Sequence, residues 1–223
     1  TEANQNAIKV AYQKAGFKIK ETNQKVFVTY VYEKAKTDIQ VGDEIITINN
    51  ETITKKQDIQ RVLKDISINK EIDVLVKHDE EIIHRTAKLT ELNDTYILGI
   101  VVSEICDIET TPNIKFHFQN SESGPSGGLM MSLAIYNALT EEDITHGKKI
   151  VGTGTIDKEG NVGEIDGIEY KLQAAIKEKA TIFLVPAGNN YNVARQLQKD
   201  KKYTIEIVPI NTFEEALSYL KSS

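Results

Sequence analysis

The sequence predicts an α/β chain, α+β in its overall make-up, with a small β-rich first part and a larger second part. Three observations carry that expectation. Short runs of β-branched and aromatic residues fill the first ninety positions, such as Val26-Phe27-Val28-Thr29-Tyr30-Val31. Beyond Gly127, strand-like runs alternate with helix-length amphipathic ones, the signature of layered α/β architecture. The composition, 40% apolar and 27% charged over 223 residues, is that of a folded globular chain with room for one large or two small domains.

Taken in order, Asn4–Gly16 places Ala7, Ile8, Ala11, Tyr12 and Ala15 on one helical face, with Gly16 where a C-terminal cap belongs. Val26–Val31, Glu44–Ile48 and Ile72–Val76 read as strands, with Asn49-Asn50 as a turn. Ile59, Val62 and Leu63 stand at helical spacing within Asp58–Leu63. In the second part Gly127–Leu139 predicts an amphipathic helix, and Lys149–Ile156 a strand running into the turn Lys158–Asn161. A helix over Ile168–Glu178, a strand over Thr181–Val185 and a helix over Tyr191–Gln198 follow. Then come a strand over Tyr203–Val208 and a last helix over Phe213–Leu220, where Thr212 and Glu215 stand at capping-box spacing. The expected division is a helical segment over 1–22, a β-rich domain over 23–91 and an α/β domain over 92–223.

A net charge of −6 with interleaved lysines and acids argues against nucleic acid as a partner, because a phosphate backbone needs a basic footprint. The single Cys106 excludes an internal disulfide and is expected as a small buried residue. No run of 18 apolar residues appears, and no two histidines stand at metal-ligand spacing, so neither a membrane span within this sequence nor a zinc site is expected.

The most informative stretch is Ser123-Gly124-Pro125-Ser126-Gly127-Gly128. A serine at a helix start meets backbone N–H groups and the positive end of the helix dipole, which suit a developing alkoxide. Taken alone, the same residues read more readily as a serine N-cap with a glycine-rich turn. A nucleophilic serine needs a base. His78, His84 and His146 lie in polar hairpin or loop stretches, and His117 has no carboxylate motif beside it. Lysine is the other base paired with serine in hydrolases. Lys171, in Asp166-Gly167-Ile168-Glu169-Tyr170-Lys171, lies near a helix start with Ala174 and Ala175 behind it, although position alone does not separate it from a surface lysine.

Gly124-Pro125-Ser126-Gly127-Gly128 resembles the nucleophile motif of Lon-type proteases, and Asp166–Ala175 resembles the motif that holds their catalytic lysine. The order, the separation of 45 positions (171 minus 126) and the intervening Gly152-Thr153-Gly154 fit, and the resemblance spans roughly residues 95–220. It implies that Ser126 attacks the peptide carbonyl and that Lys171 takes its proton. It also implies that the Thr153 hydroxyl orients the lysine, that backbone N–H groups near Ser123 and Ser126 form the oxyanion hole, and that no cofactor is used. Two residues depart from the motif: Glu122-Ser123 replaces the usual Lys-Asp, and Gly128 replaces an alanine, expected to be a minor change of volume. No Gly-x-x-x-x-Gly-Lys-Ser/Thr motif occurs, so ATP hydrolysis is not expected of this chain.

Val41-Gly42-Asp43-Glu44-Ile45-Ile46-Thr47-Ile48-Asn49, Ile53 and the helix after Gln57 resemble part of a bacterial PDZ domain. The resemblance implies strand addition of an extended peptide in a groove between Val26, Phe27 and Val28 and the helix bearing Ile59, Val62 and Leu63. The expected carboxylate loop lacks glycine, since Asn23-Gln24-Lys25 precedes Val26. A PDZ domain followed by a Lon proteolytic domain resembles the membrane-anchored PDZ–Lon proteases of Gram-positive bacteria. That arrangement implies an N-terminal anchor, consistent with a start at Thr1, and action on peptides or small secreted proteins at the extracytoplasmic side of the cell membrane. Self-association stays open. The rival readings are a non-catalytic peptide-binding adaptor with a decayed peptidase domain, and a cytosolic Lon fragment separated from its ATPase.

Overall fold

The computed structural model describes residues 1–114 and 124–223. Contacts divide these into two compact units, one of Glu21–Ile108 and one of Ala3–Lys20 with Glu109–Ser223. The second unit begins with helix α1 (Glu2–Lys14), whose end is closed as the glycine at position 16 predicts. Gly16 is left-handed (φ 82°), and Phe17 N–H donates to the Tyr12 carbonyl at 2.9 Å, the closing bond of a Schellman motif.

The Glu21–Ile108 unit is β-rich. Its strands are β1 (Ile19–Val31, the first two residues lying in the other unit), β2 (Lys36–Thr37), β3 (Glu44–Ile48) and β4 (Glu51–Thr52). Helix α2 (Lys56–Leu63) is followed by β5 (Ile72–His78), β6 (Glu81–Lys88), β7 (Thr90–Leu92), β8 (Thr95–Ile97) and β9 (Ile100–Thr110). The main sheet runs β2-β6-β5-β3-β1-β9, with β4 paired to β3. Asn49 and Asn50 both take positive φ (48° and 65°), which makes the β3–β4 connection a two-residue hairpin of the primed type. The core is aliphatic, with Val26, Val28, Ile45, Ile48, Ile72, Val74 and Val76 almost wholly excluded from water. Within it lies one charged group. Asp43 is fully buried and accepts from Gln40 N–H (2.8 Å) and from Arg85 Nε (3.2 Å), with His78 Nδ1 2.6 Å away. A buried carboxylate is tolerated only when paired in this way.

The other unit continues with a 3₁₀ turn (Pro125–Gly127), α3 (Gly128–Leu139), β10 (Ile150–Gly152), β11 (Thr155–Ile156) and β12 (Val162–Gly163). Then come α4 (Ile168–Lys177), β13 (Ile182–Pro186), α5 (Asn189–Lys201), β14 (Glu206–Ile210) and α6 (Phe213–Ser222). Strands β10, β13 and β14 form a parallel sheet with β13 in the centre, and every residue of β13 is buried. Its side chains alternate between two cores, as a strand requires. Ile182 and Leu184 join Leu129, Leu133 and Phe213 on one face, while Phe183 and Val185 join Ile168, Leu172 and Ala194 on the other. Thr212 caps α6 by accepting from Glu215 N–H at 3.2 Å.

The mixed helix-and-strand architecture is the one expected, and three local findings differ from the sequence reading. Helix α1 belongs with the second unit, because Ala7, Val10, Ala11 and Tyr12 are buried in its core. Residues 95–108 belong with the first unit, since β9 pairs with β1; Tyr32 N–H donates to the Gly99 carbonyl at 2.9 Å. The strand expected over Lys149–Ile156 is broken at Thr153-Gly154, where Gly154 adopts φ 149°.

Candidate active site

The break between β10 and β11 builds the floor of the site. Thr153 N–H donates to the Leu184 carbonyl of β13 (3.0 Å), which ties the break to the central strand. The Ser126 carbonyl then accepts from Gly154 N–H (2.8 Å) and from the Thr153 hydroxyl (3.0 Å). Leu129 N–H donates to the Gly154 carbonyl (3.0 Å), so the 3₁₀ turn and the start of α3 are held by the same two residues. Thr153 is 2% exposed, and its hydroxyl has its acceptor in the backbone of Ser126.

Opposite this floor, Gly167 is left-handed (φ 71°) and starts α4. Lys171 lies one turn in, and its amine is 3.2 Å from Ser126 Oγ, within hydrogen-bond reach. Both residues are half-buried, open enough to meet a substrate. Ser126 and Lys171, read as a pair from the sequence, are thus in contact in space. Thr153 sits beside them, and among the described residues its hydroxyl holds the Ser126 backbone rather than the lysine. Ser123 and His117 lie outside the described residues. Gly128 is more than a small change of volume, because an added Cβ there would lie 2.9 Å from the Ile156 backbone nitrogen. That close approach locks α3 against β11, and its signal in the sequence was the second glycine itself.

The described histidines have other partners or settings. His78 faces Asp43, His84 Nδ1 lies 2.8 Å from Asp73, and His146 occupies a turn with φ 49°. No group of three His, Cys, Asp or Glu side chains among the described residues is placed to hold a metal ion. Cys106 is 7% exposed, with its Sγ 3.4 Å from Glu21 Oε2.

A family model described as the Lon protease (S16) C-terminal proteolytic domain matches residues 107–222. The chain belongs to the Lon protease family. A PDZ-domain model matches residues 11–94, so a PDZ domain precedes the Lon domain. Among curated relatives, the Lon protease of Neorickettsia sennetsu is 32% identical over 99 residues, covering 44% of this chain and 12% of that protein. The Lon protease of Mesomycoplasma hyopneumoniae is 27% identical over 119 residues, 48% of this chain and 13% of that protein. The archaeal Lon protease of Halobacterium salinarum is 24% identical over 155 residues, 66% of this chain and 21% of that protein. The matched stretches are therefore a small fraction of the relatives' own length. A solved PDZ domain of an SdrC-like protein from Listeria monocytogenes aligns with 37% of this chain and 92% of its own at 20% identity, with a TM-score of 0.32.

The PDZ unit contains a cavity of about 790 Å³, lined on one side by Ile59, Leu63 and Ile66 and on the other by Leu98, Ile100 and Val102. Ile59 and Leu63 both line this cavity. Val26, Phe27 and Val28 do not line it, which corrects the expected groove. Val26 (0% exposed) and Val28 (2%) are core residues, and β1 is paired on both edges, to β3 and β9. Val62 packs against the PDZ core. Of the two strands that end the sheet, β2 and β9, it is β9 whose first residues face the cavity. Local periodicity held no sign of this, because a strand pattern does not name its partner. Among the described residues no helix is long and apolar enough to cross a membrane.

Proposed function

We propose that this chain is an ATP-independent serine endopeptidase that cuts peptides or small secreted proteins with a Ser126–Lys171 dyad. The observation that carries this reading is the 3.2 Å approach of Lys171 Nζ to Ser126 Oγ at a glycine-rich helix start. In its neutral form the lysine takes the serine proton as Oγ bonds to the carbonyl carbon. The ammonium then returns that proton to the amine nitrogen as the C–N bond breaks. Water then gives a proton to the same lysine as its oxygen bonds to the acyl carbon, and the ammonium passes that proton to Ser126 Oγ as the acyl–Oγ bond breaks. The Ser126 N–H, at the start of the turn, and the backbone near Ser123 would stabilise the oxyanion. Thr153 serves the dyad by fixing the Ser126 backbone. A PDZ domain stands directly before the Lon domain, with no phosphate-binding loop motif between them, and this order supports action without ATP. The order of a PDZ domain followed by a Lon domain favours an enzyme anchored at the extracytoplasmic side of the membrane.

A fluorophosphonate probe tests the chemistry directly. The labelled peptide should contain Ser126, and sequencing of the products from a peptide library should show internal cleavage. A protein that folds but neither labels nor cleaves supports the adaptor reading instead.

In the same proposal, substrate adds a strand along Ile100–Val102 of β9 and sets apolar side chains against Ile59 and Leu63. Leu63→Glu, at a half-buried position on the cavity wall, should lower kcat/KM on a polypeptide substrate by about tenfold, the scale of one lost apolar contact. It should change hydrolysis of a short peptide less than twofold. Equal losses on both substrates would remove the groove from substrate delivery.

A further inference from the structure

The Lys171 amine stands within reach of Ser126 only if the start of α4 is fixed, and neither residue of the pair fixes it. The segment that feeds α4 is Glu164-Ile165-Asp166-Gly167, which leaves the short strand β12 and belongs to no sheet. Its backbone is instead held by one side chain. Asn190, 4% exposed in the first turn of α5, accepts from Ile165 N–H through Oδ1 (2.8 Å) and donates through Nδ2 to the Ile165 carbonyl (2.9 Å). One carboxamide thus pairs both polar groups of one residue, as a neighbouring strand would. Beside it Glu164 Oε1 accepts from Asn189 N–H at 2.7 Å, and Gly188 (φ 88°) lets the chain pass close to that carboxylate.

Asn190 follows β13 by only three residues, Ala187, Gly188 and Asn189. The same strand holds the serine side of the site, since the Leu184 carbonyl accepts from Thr153 N–H and Thr153 holds the Ser126 carbonyl. The nucleophile and the base are therefore both registered against β13, one through Thr153 and the other through Asn190.

We infer that Asn190 is a positioning residue for the reaction, setting the distance between Lys171 and Ser126 through the backbone of Ile165. The inference rests on the dyad reading above. Asparagine is required because the clamp needs a donor and an acceptor on one short side chain. Aspartate offers acceptors alone and would set a negative oxygen against the Ile165 carbonyl. A displacement of about 1 Å between reacting groups costs on the order of 10²-fold in rate.

The test compares Asn190→Asp and Asn190→Ala with Leu217→Ala, a buried α6 position chosen as a control for lost stability. At a temperature where all are folded, both Asn190 variants should lose about 10–100-fold in kcat on a short peptide, with KM within twofold. The fluorophosphonate labelling rate of Ser126 should fall in parallel. Leu217→Ala should melt lower yet keep kcat. Unchanged kcat in folded Asn190→Asp overturns the inference. So does an equal loss of kcat in Leu217→Ala, and so does failure of Asn190→Asp to fold, which would make the clamp a requirement of the fold alone. Lys171→Met separates the two levels. If it still labels and cleaves, the dyad reading is what has failed; if it is dead while the Asn190 variants are fast, only the positioning role is lost.

Discussion

Ser126→Ala is expected to abolish peptide hydrolysis, by on the order of 10⁶-fold in kcat for a nucleophile acting as a unit with its base. The substitution removes one half-exposed oxygen and leaves the two hydrogen bonds to the Ser126 carbonyl in place, so the melting temperature should barely move. Lys171→Met should be as damaging as Ser126→Ala, and the double variant no worse than either, because each single change already disables the pair. Lys171→Arg is the sharper case. It keeps a cation near Ser126, yet the guanidinium stays protonated and cannot accept a proton. Activity surviving in the arginine variant would mean that charge, not base strength, is what position 171 supplies, and the dyad would have to be abandoned. Initial rates on a quenched fluorescent peptide, with melting curves on the same samples, decide the matter.

Asp43→Ala should destabilise the PDZ unit by about 3–5 kcal/mol, the usual cost of removing one partner from a buried ion pair. Asp43 is inaccessible to water and the Arg85 side chain is 12% exposed, so its loss strands a guanidinium and the Gln40 N–H together. Replacing Arg85 as well should recover part of the loss, since the double variant leaves no lone charge. Urea unfolding followed by probes in each unit reads this out. The transition of the PDZ unit should move to markedly lower urea while that of the Lon unit stays in place. A single transition moving as a whole would show that the two units unfold together, and a shift below 1 kcal/mol would show that water reaches Arg85 after all.

Much of this was legible before the structure. Asn49-Asn50 announced a hairpin because asparagine tolerates the positive φ that a primed turn demands. Gly16 announced a helix end for the same reason. Ser126 and Lys171 were legible as a pair only through their motifs, since neither residue type is rare at a helix start. What stayed hidden was long-range or side-chain-specific. Nothing local in Ile100–Thr110 tells that it pairs with β1, a strand far earlier in the chain, so the sequence alone points to a groove on β1. The break at Thr153-Gly154 is hidden in the sequence because its flanks, Ile150-Val151 and Thr155-Ile156, are good strand formers. Asn190 carried no signal at all, because its task exists only once the folded chain has brought Ile165 beside it.

Strand β13 has a consequence for how the proposed activity would be lost. A central parallel strand, paired on both sides and buried on both faces, opens only with the unit around it, so its amides should be among the last to exchange with solvent. Because both halves of the site are anchored to that strand, fraying of outer turns leaves the reacting atoms in register. The proposed activity should then be lost on heating in one step that coincides with unfolding of the Lon unit, with no long-lived folded but inactive state in between.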